Sequence, residues 1–281
     1  MKKIKIVADS SSDILNLKDI DFASAPLKII AGSKEFVDDK TLDIEEMVNF
    51  LENYKGKSST SCPNPEDWIE TFADADEVYC VTITSGLSGS HNAACVAKRR
   101  YEEQNPGKHV CVIDSLSTGP EMALIIIKLT ELIKENKPFQ QISKEIASYQ
   151  KKTGLLFMLE SMKNLANNGR VSKIAAGFAG LLNIYVIGKA SDKGELEPLD
   201  KIRGQKMTLK KILHRLDQLG YAGGRIKITH CFNLKSAEEL KKSIIDKFPS
   251  AEIIIDKCRG LCSFYAEKGG MLIGFEKEIP V

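Results

Sequence analysis

The residues of this chain best suited to chemistry are hydroxyls, glycines and a few acids, gathered in short clusters. The densest cluster is Thr84-Ser-Gly-Leu-Ser-Gly-Ser90, placed between the apolar run Val78–Ile83 and the segment Asn92–Arg100. The first flank reads as a buried strand and the second as a helix. A strand that ends in small polar residues at a helix start forms an anion site, because unpaired backbone N–H groups and the positive end of the helix dipole converge there. Ser88 and Ser90 in this turn read either as anion ligands or as capping residues with no ligand. Asp9-Ser-Ser-Ser-Asp13 and Asp114-Ser115 follow two further apolar runs, and Thr60 and Ser61 sit in Ser58–Pro65.

Other chemistries lack their residues. There is no Gly-x-x-x-x-Gly-Lys-Ser/Thr, no Gly-x-Gly-x-x-Gly and no His-Glu-x-x-His. The four histidines, at 91, 109, 214 and 230, show no ligand spacing. The seven cysteines form no Cys-x-x-Cys pair, which argues against a disulfide framework or structural zinc. No metal and no cofactor are therefore expected. Gly86-Leu-Ser88-Gly-Ser90 approaches a nucleophile elbow but ends in Ser where Gly is required. A serine hydrolase acting on lipid esters through Ser88 is the alternative, although no activating base is evident.

Basic and acidic residues nearly cancel, 40 against 38, so no pull toward nucleic acid or a membrane surface follows. No run approaches the roughly 20 apolar residues of a membrane span. The N-terminus runs straight into a strand pattern, and a cytoplasmic location is expected.

The elements that must position these clusters alternate in the first half. Strands are expected at Ile4–Ala8, Pro26–Ile30, Val78–Ile83 and His109–Asp114, with intervening helices that include Pro120–Asn136 and 139–152. Ser58–Pro65 reads as a loop, since two prolines interrupt it. Strand–helix alternation implies a parallel sheet between helices, with ligands beyond the strand carboxyl ends at a topological switch point. The second half changes rhythm. It reads Leu155–Leu159, a hairpin around Ser191-Asp-Lys-Gly194, then helices at 206–219 and 236–247 alternating with strands, and finally Met271–Phe275. A mixed or antiparallel sheet with helices on one face is expected. The expected units are 1–152 and 153–281. Asp9 reads either as a helix cap or as the group that orders the Thr60 segment.

Asp9-Ser-Ser-Ser-Asp13, Thr60-Ser61-Cys62-Pro63, Ser85–Ser90, Asp114-Ser115, Asn168-Gly-Arg170-Val-Ser172 and Arg203 stand in an order and spacing that resemble the DegV family, over roughly residues 3 to 275. The resemblance implies two α/β units with one long-chain fatty acid, palmitate-like, buried between them. It implies lipid transport, or presentation of the acid as the FakB-type subunit of a bacterial fatty acid kinase, without catalysis by the chain itself. Matching positions make Thr60 and Ser88 the carboxylate ligands, with Ser61, Gly89, Ser90 and Arg170 around them and Arg203 facing a kinase catalytic subunit. Two positions depart from the family pattern. Cys62 stands where Gln is common, and Ala266 where a head-group histidine is common, with Tyr265 and Ser263 the nearest groups that could replace it. The lost histidine motivates a second alternative, a lipid-responsive regulatory protein without kinase coupling.

Overall fold

A computed structural model describes residues 2–171 and 183–278. Ser172, at the end of one motif, and the small-residue segment 175–182 lie outside them. Four strands, β1 (Ile4–Asp9), β2 (Asp21–Ala25), β6 (Glu77–Thr82) and β7 (His109–Asp114), form a fully parallel sheet in the order β2-β1-β6-β7. All six residues of β6 are buried, as expected for a central strand covered on both faces. The chain leaves β1 toward β2 and later returns to pair β6 on the other side. The switch point therefore falls between the carboxyl ends of β1 and β6, where Ala8 pairs with Val81.

The stretch read as a second strand at Pro26–Ile30 is not part of this sheet. β2 occupies the edge instead, and β3 (Lys28–Ala31) joins β4 (Lys34–Val37) and β5 (Ser58–Ser61) in a small antiparallel sheet, β4-β3-β5. Residues 58–61 are thus strand and not loop. Pro63 and Pro65 lie past the paired residues, and Pro65 opens helix α2 (Pro65–Phe72) behind the capping box of Asn64 and Asp67. An edge strand of serines carries no hydrophobic alternation, so it leaves no pattern to read.

The last large sheet is mixed, in the order β10-β9-β8-β13-β11-β12, with β11 (Arg225–His230) and β12 (Glu252–Lys257) its parallel pair. β8 (Thr153–Leu159), β9 (Ile184–Ala190), β10 (Leu196–Arg203) and β13 (Met271–Glu276) pair antiparallel. Two helices, Gln205–Gln218 and Leu234–Lys247, cover one face through Leu209, Ile212, Leu240 and Ile244. The opposite face is also covered, which corrects the one-sided expectation. Helix α4 (Gly119–Lys134) lies against β13 and β11 while also packing under the parallel sheet, where Met122, Ile125 and Ile126 meet Ile6, Tyr79 and Val81. Its apolar residues occur on every side, as a helix buried between two sheets requires.

The backbone of α4 closes on β13 at Gly274. A Cβ there would sit 2.5 Å from backbone atoms of Pro120 and Glu121. Gly274→Ala is therefore expected to push the helix off the strand and destabilise the protein by about 2–3 kcal/mol. Urea unfolding monitored by circular dichroism should show a lower midpoint with an unchanged slope, and an unchanged midpoint would show that the seam is loose.

Candidate functional site: a hydroxyl-capped cavity between two sheets

A cavity of about 270 Å³ opens between the parallel and mixed sheets. Leu27, Ile83, Phe157, Leu159, Leu261 and Leu272 supply apolar walls from both halves of the chain. Polar groups converge at one part of its lining: Thr60, Ser61, Ser88, Gly89, Arg170 and Tyr265. Five of the sequence-predicted residues, Thr60, Ser61, Ser88, Gly89 and Arg170, are thus brought to one cavity. Ser90 and Arg203 are not in its wall.

Each is positioned by local geometry. Thr60 lies in β5 opposite Ile29, and strand alternation turns Ser58 and Thr60 inward and exposes Ser59 and Ser61. Ser88 lies in the turn after β6, where Leu87 and Ser88 N–H both donate to Thr84 O. Its hydroxyl oxygen accepts Ser90 N–H at 3.2 Å. Helix α3 (Ser90–Gln104) starts at that point with Gly89 as its N-cap, so the Ser88 hydroxyl takes the place of an N-cap side chain. Arg170 follows helix α6 (Lys163–Asn167). Arg170 N–H donates to Leu165 O and Gly169 N–H to Ala166 O, with Gly169 at φ 70°, the Schellman ending that glycine permits. This reversal brings the guanidinium to the cavity. Asn168 holds the turn to β5 by donating to Ser58 O at 3.2 Å. The Ser191–Gly194 turn closes on the same region, and a Cβ on Gly194 would lie 1.9 Å from Thr84 Oγ1.

Asp9 organises the hydroxyl turn from below. The carboxylate is fully buried, caps the 3₁₀ turn Ser10–Ser12, and accepts Ile83 N–H at 2.9 Å and Ser90 Oγ–H at 2.7 Å. It therefore orders the Ser88 turn and not the Thr60 segment. Ser90 spends its hydroxyl on Asp9, which makes it a positioning residue behind the cavity wall. Burial raises the Asp9 pKa, and the hydrogen bonds from Ser11, Ser90 and Ile83 oppose that rise.

The helix Gly260–Ala266 forms another wall, and two acids from the first half hold its start. Asp13 accepts Arg259 N–H at 2.7 Å, and Asp38 accepts Gly260 N–H at 2.8 Å and Leu261 N–H at 2.9 Å. Sequence reading did not anticipate this clasp, because its donors lie more than 200 residues from its acceptors. Ala266 lines the cavity with a methyl group, and Tyr265 stands beside it with its hydroxyl 2.8 Å from Thr60 Oγ1. Burial keeps the Tyr265 phenol above its usual pKa, against the pull of Thr60 and Arg170, so it is a neutral donor at physiological pH. Ser263 turns away and donates to Cys258 O at 3.1 Å.

Among the described residues no histidine lines the cavity. His91, the nearest in sequence to Ser88, places Nδ1 3.2 Å from Thr82 Oγ1 and Nε2 3.5 Å from Cys95 Sγ. Among the described residues no cluster of His, Cys, Asp and Glu could hold a metal ion, and no helix is long and apolar enough to cross a membrane.

The α/β chain thus places an apolar cavity, with hydroxyls and one arginine at one part of its lining, between a parallel and a mixed sheet. A family model described as "Uncharacterised protein, DegV family" matches residues 3–278, and the chain belongs to that family. It is 42% identical over 276 residues to a DegV domain-containing protein of Streptococcus pyogenes serotype M1, covering 97% of this chain and 99% of that one. Two solved structures each match with a TM-score of 0.96 and 43% identity, over 98% of this chain and all of theirs. One is a DegV family protein from Eubacterium eligens loaded with heptadecanoic acid. The other is the fatty acid kinase (Fak) B3 protein of Streptococcus pneumoniae loaded with linoleic acid.

The clasp generates a pH dependence. Asp13 is half-buried with its Oδ2 out of solvent, and this desolvation lifts its pKa to about 7, with Arg259 N–H opposing the rise and the Asp38 charge adding to it. A raised acid pKa means that the fold holds a proton which the unfolded chain releases near pH 4. Asp13 therefore lowers stability progressively from about pH 4 to pH 7, by up to about 4 kcal/mol. Asp13→Asn keeps an acceptor for Arg259 and removes the charge. Its melting temperature relative to wild type should rise between pH 5 and pH 8.5, and a falling difference would show that the ionised carboxylate is stabilising.

Proposed function

We propose that this protein binds one long-chain fatty acid between units 1–152 and 153–281 and presents it to the catalytic subunit of a fatty acid kinase. The observation that carries the proposal is the cavity itself, apolar along its walls with hydroxyls and Arg170 at one part. A carboxylate withdrawn from water needs charge-assisted hydrogen bonds, and Thr60 and Ser88 offer them, with Ser61, Gly89 and Arg170 alongside. Ser90 contributes through Asp9. The tail supplies most of the affinity. At about 0.8 kcal/mol per buried CH₂, a chain of about sixteen carbons offers roughly 10 kcal/mol gross, from which association costs are subtracted. The fatty acids named for the two 43%-identical structures support the same ligand class.

In this reading the chain carries the substrate and is not itself the catalyst. Ser88 acts as a hydrogen-bond donor in this reading; both ring nitrogens of His91 have partners in Thr82 and Cys95, and among the described residues no other histidine stands near it in sequence to serve as base. Arg203 ends β10 and is exposed, away from the cavity, where a kinase subunit can reach it. A cytoplasmic location, where such a kinase draws on ATP, fits this role.

Native mass spectrometry of protein from an expression host should show a co-purified acid of a few hundred daltons. Thr60→Ala with Ser88→Ala should weaken palmitate uptake by the delipidated protein about 10- to 100-fold while leaving the fold intact by circular dichroism. Apo protein that takes up neither palmitate nor oleate would overturn the reading. A fluorophosphonate adduct on Ser88 would favour the hydrolase instead. Reconstitution with the kinase subunit should yield acyl phosphate, and Arg203→Glu should slow that reaction without changing lipid affinity. Tight lipid binding with no acyl phosphate formed would favour a regulatory protein.

A further inference from the structure

The helix Gly260–Ala266 shows the cavity a single stripe. Leu261, Cys262, Tyr265 and Ala266 line it, at the i, i+1, i+4, i+5 spacing of one helical face. Leu261 and Ala266 end in methyl groups. Cys262 directs its thiol to Ser11 O at 3.4 Å. Tyr265 is the stripe's strong donor, and its hydroxyl oxygen lies 2.8 Å from Thr60 Oγ1 with Arg170 on the same side.

The ring has little freedom. It packs edge-on to Phe264, with centroids 4.8 Å apart at 71°. Asp13 and Asp38 hold the start of the helix, and Asn164 holds its end by donating from Nδ2 to Phe264 O at 2.8 Å and from N–H to Glu267 Oε1 at 3.0 Å. The phenol is thereby aimed before any ligand arrives, which lowers the ordering cost of binding.

Two hydroxyls bonded to each other use one proton between them and leave the other unspent. An anion in the cavity takes the unspent proton, and the first bond then polarises the second. A neutral alcohol or ester gains only an ordinary hydrogen bond from the same pair, about half as strong.

We infer that Tyr265 is a head-group ligand that works as a pair with Thr60 and selects ionised long-chain acids over neutral lipids of the same length. This rests on the fatty-acid reading and extends it to a residue and a specificity. The phenol does the work that Ala266, one position further on, has no group to perform.

The test compares palmitate with hexadecanol on delipidated full-length protein, wild type and Tyr265→Phe, by displacement of a fluorescent fatty-acid probe. Phe retains the ring against Phe264, and an unchanged melting temperature confirms the fold. Palmitate affinity should fall about tenfold while hexadecanol affinity changes less than about twofold, the pattern of a lost charge-assisted bond. Unchanged palmitate affinity overturns the inference. So does an equal loss for both ligands, which would mean that Tyr265 only packs the wall. Wild-type protein that binds neither ligand overturns the fatty-acid reading itself, a result distinct from either of those.

Discussion

The arrangement turns on a buried carboxylate at the switch point of the parallel sheet. Asp9 ends β1 and, from there, holds both ends of the turn that follows β6, Ile83 through its backbone and Ser90 through its hydroxyl. A carboxylate without solvent is costly, and it persists here because four donors from Ser11, Ile83 and Ser90 surround it. Fixing those two ends leaves the middle of the turn, Leu87 to Gly89, no freedom but to face the cavity. The hydroxyl of Ser88 is placed by an acid that does not line the cavity.

A pair of acids does the same for another wall. Asp13 and Asp38 come from the first half of the chain and hold the start of a helix from the second, while α4 is packed against both sheets. The cavity is therefore a product of the seam. Its apolar walls and polar groups come from both sides, so neither half could form it alone. The cavity is partly open and apolar with hydroxyls at one part, and the acids with which the two 43%-identical proteins are loaded are amphiphiles with one anionic end.

The periodic parts of the fold were legible. β1, β6 and β7 carry β-branched runs, and β6, buried along its whole length, shows how cover on both faces writes such a run into a sequence. The hydroxyl turn was legible because a strand, a small polar cluster and a helix stood in direct succession. β5 and β2 were not. β5 is an edge strand of serine and threonine, and Asp21–Ala25 mixes charge with small residues, so neither carries an alternation to detect. Arg170 was found by its motif. The reason it reaches the cavity, a left-handed Gly169, became clear only from the backbone.

Amino-acid type alone marked out the clusters of hydroxyls, glycines and acids, and the turn that stands between a strand pattern and a helix pattern after β6. Those properties depend on neighbours in sequence. Tertiary structure alone decided which hydroxyls meet. It gave Ser90 to Asp9, set Thr60 beside Tyr265 across 205 residues, and sent Ser263 into the core. The physical reason is that a hydroxyl's partner is set by distances of about 3 Å, and strand register and helix docking across the seam fix those distances.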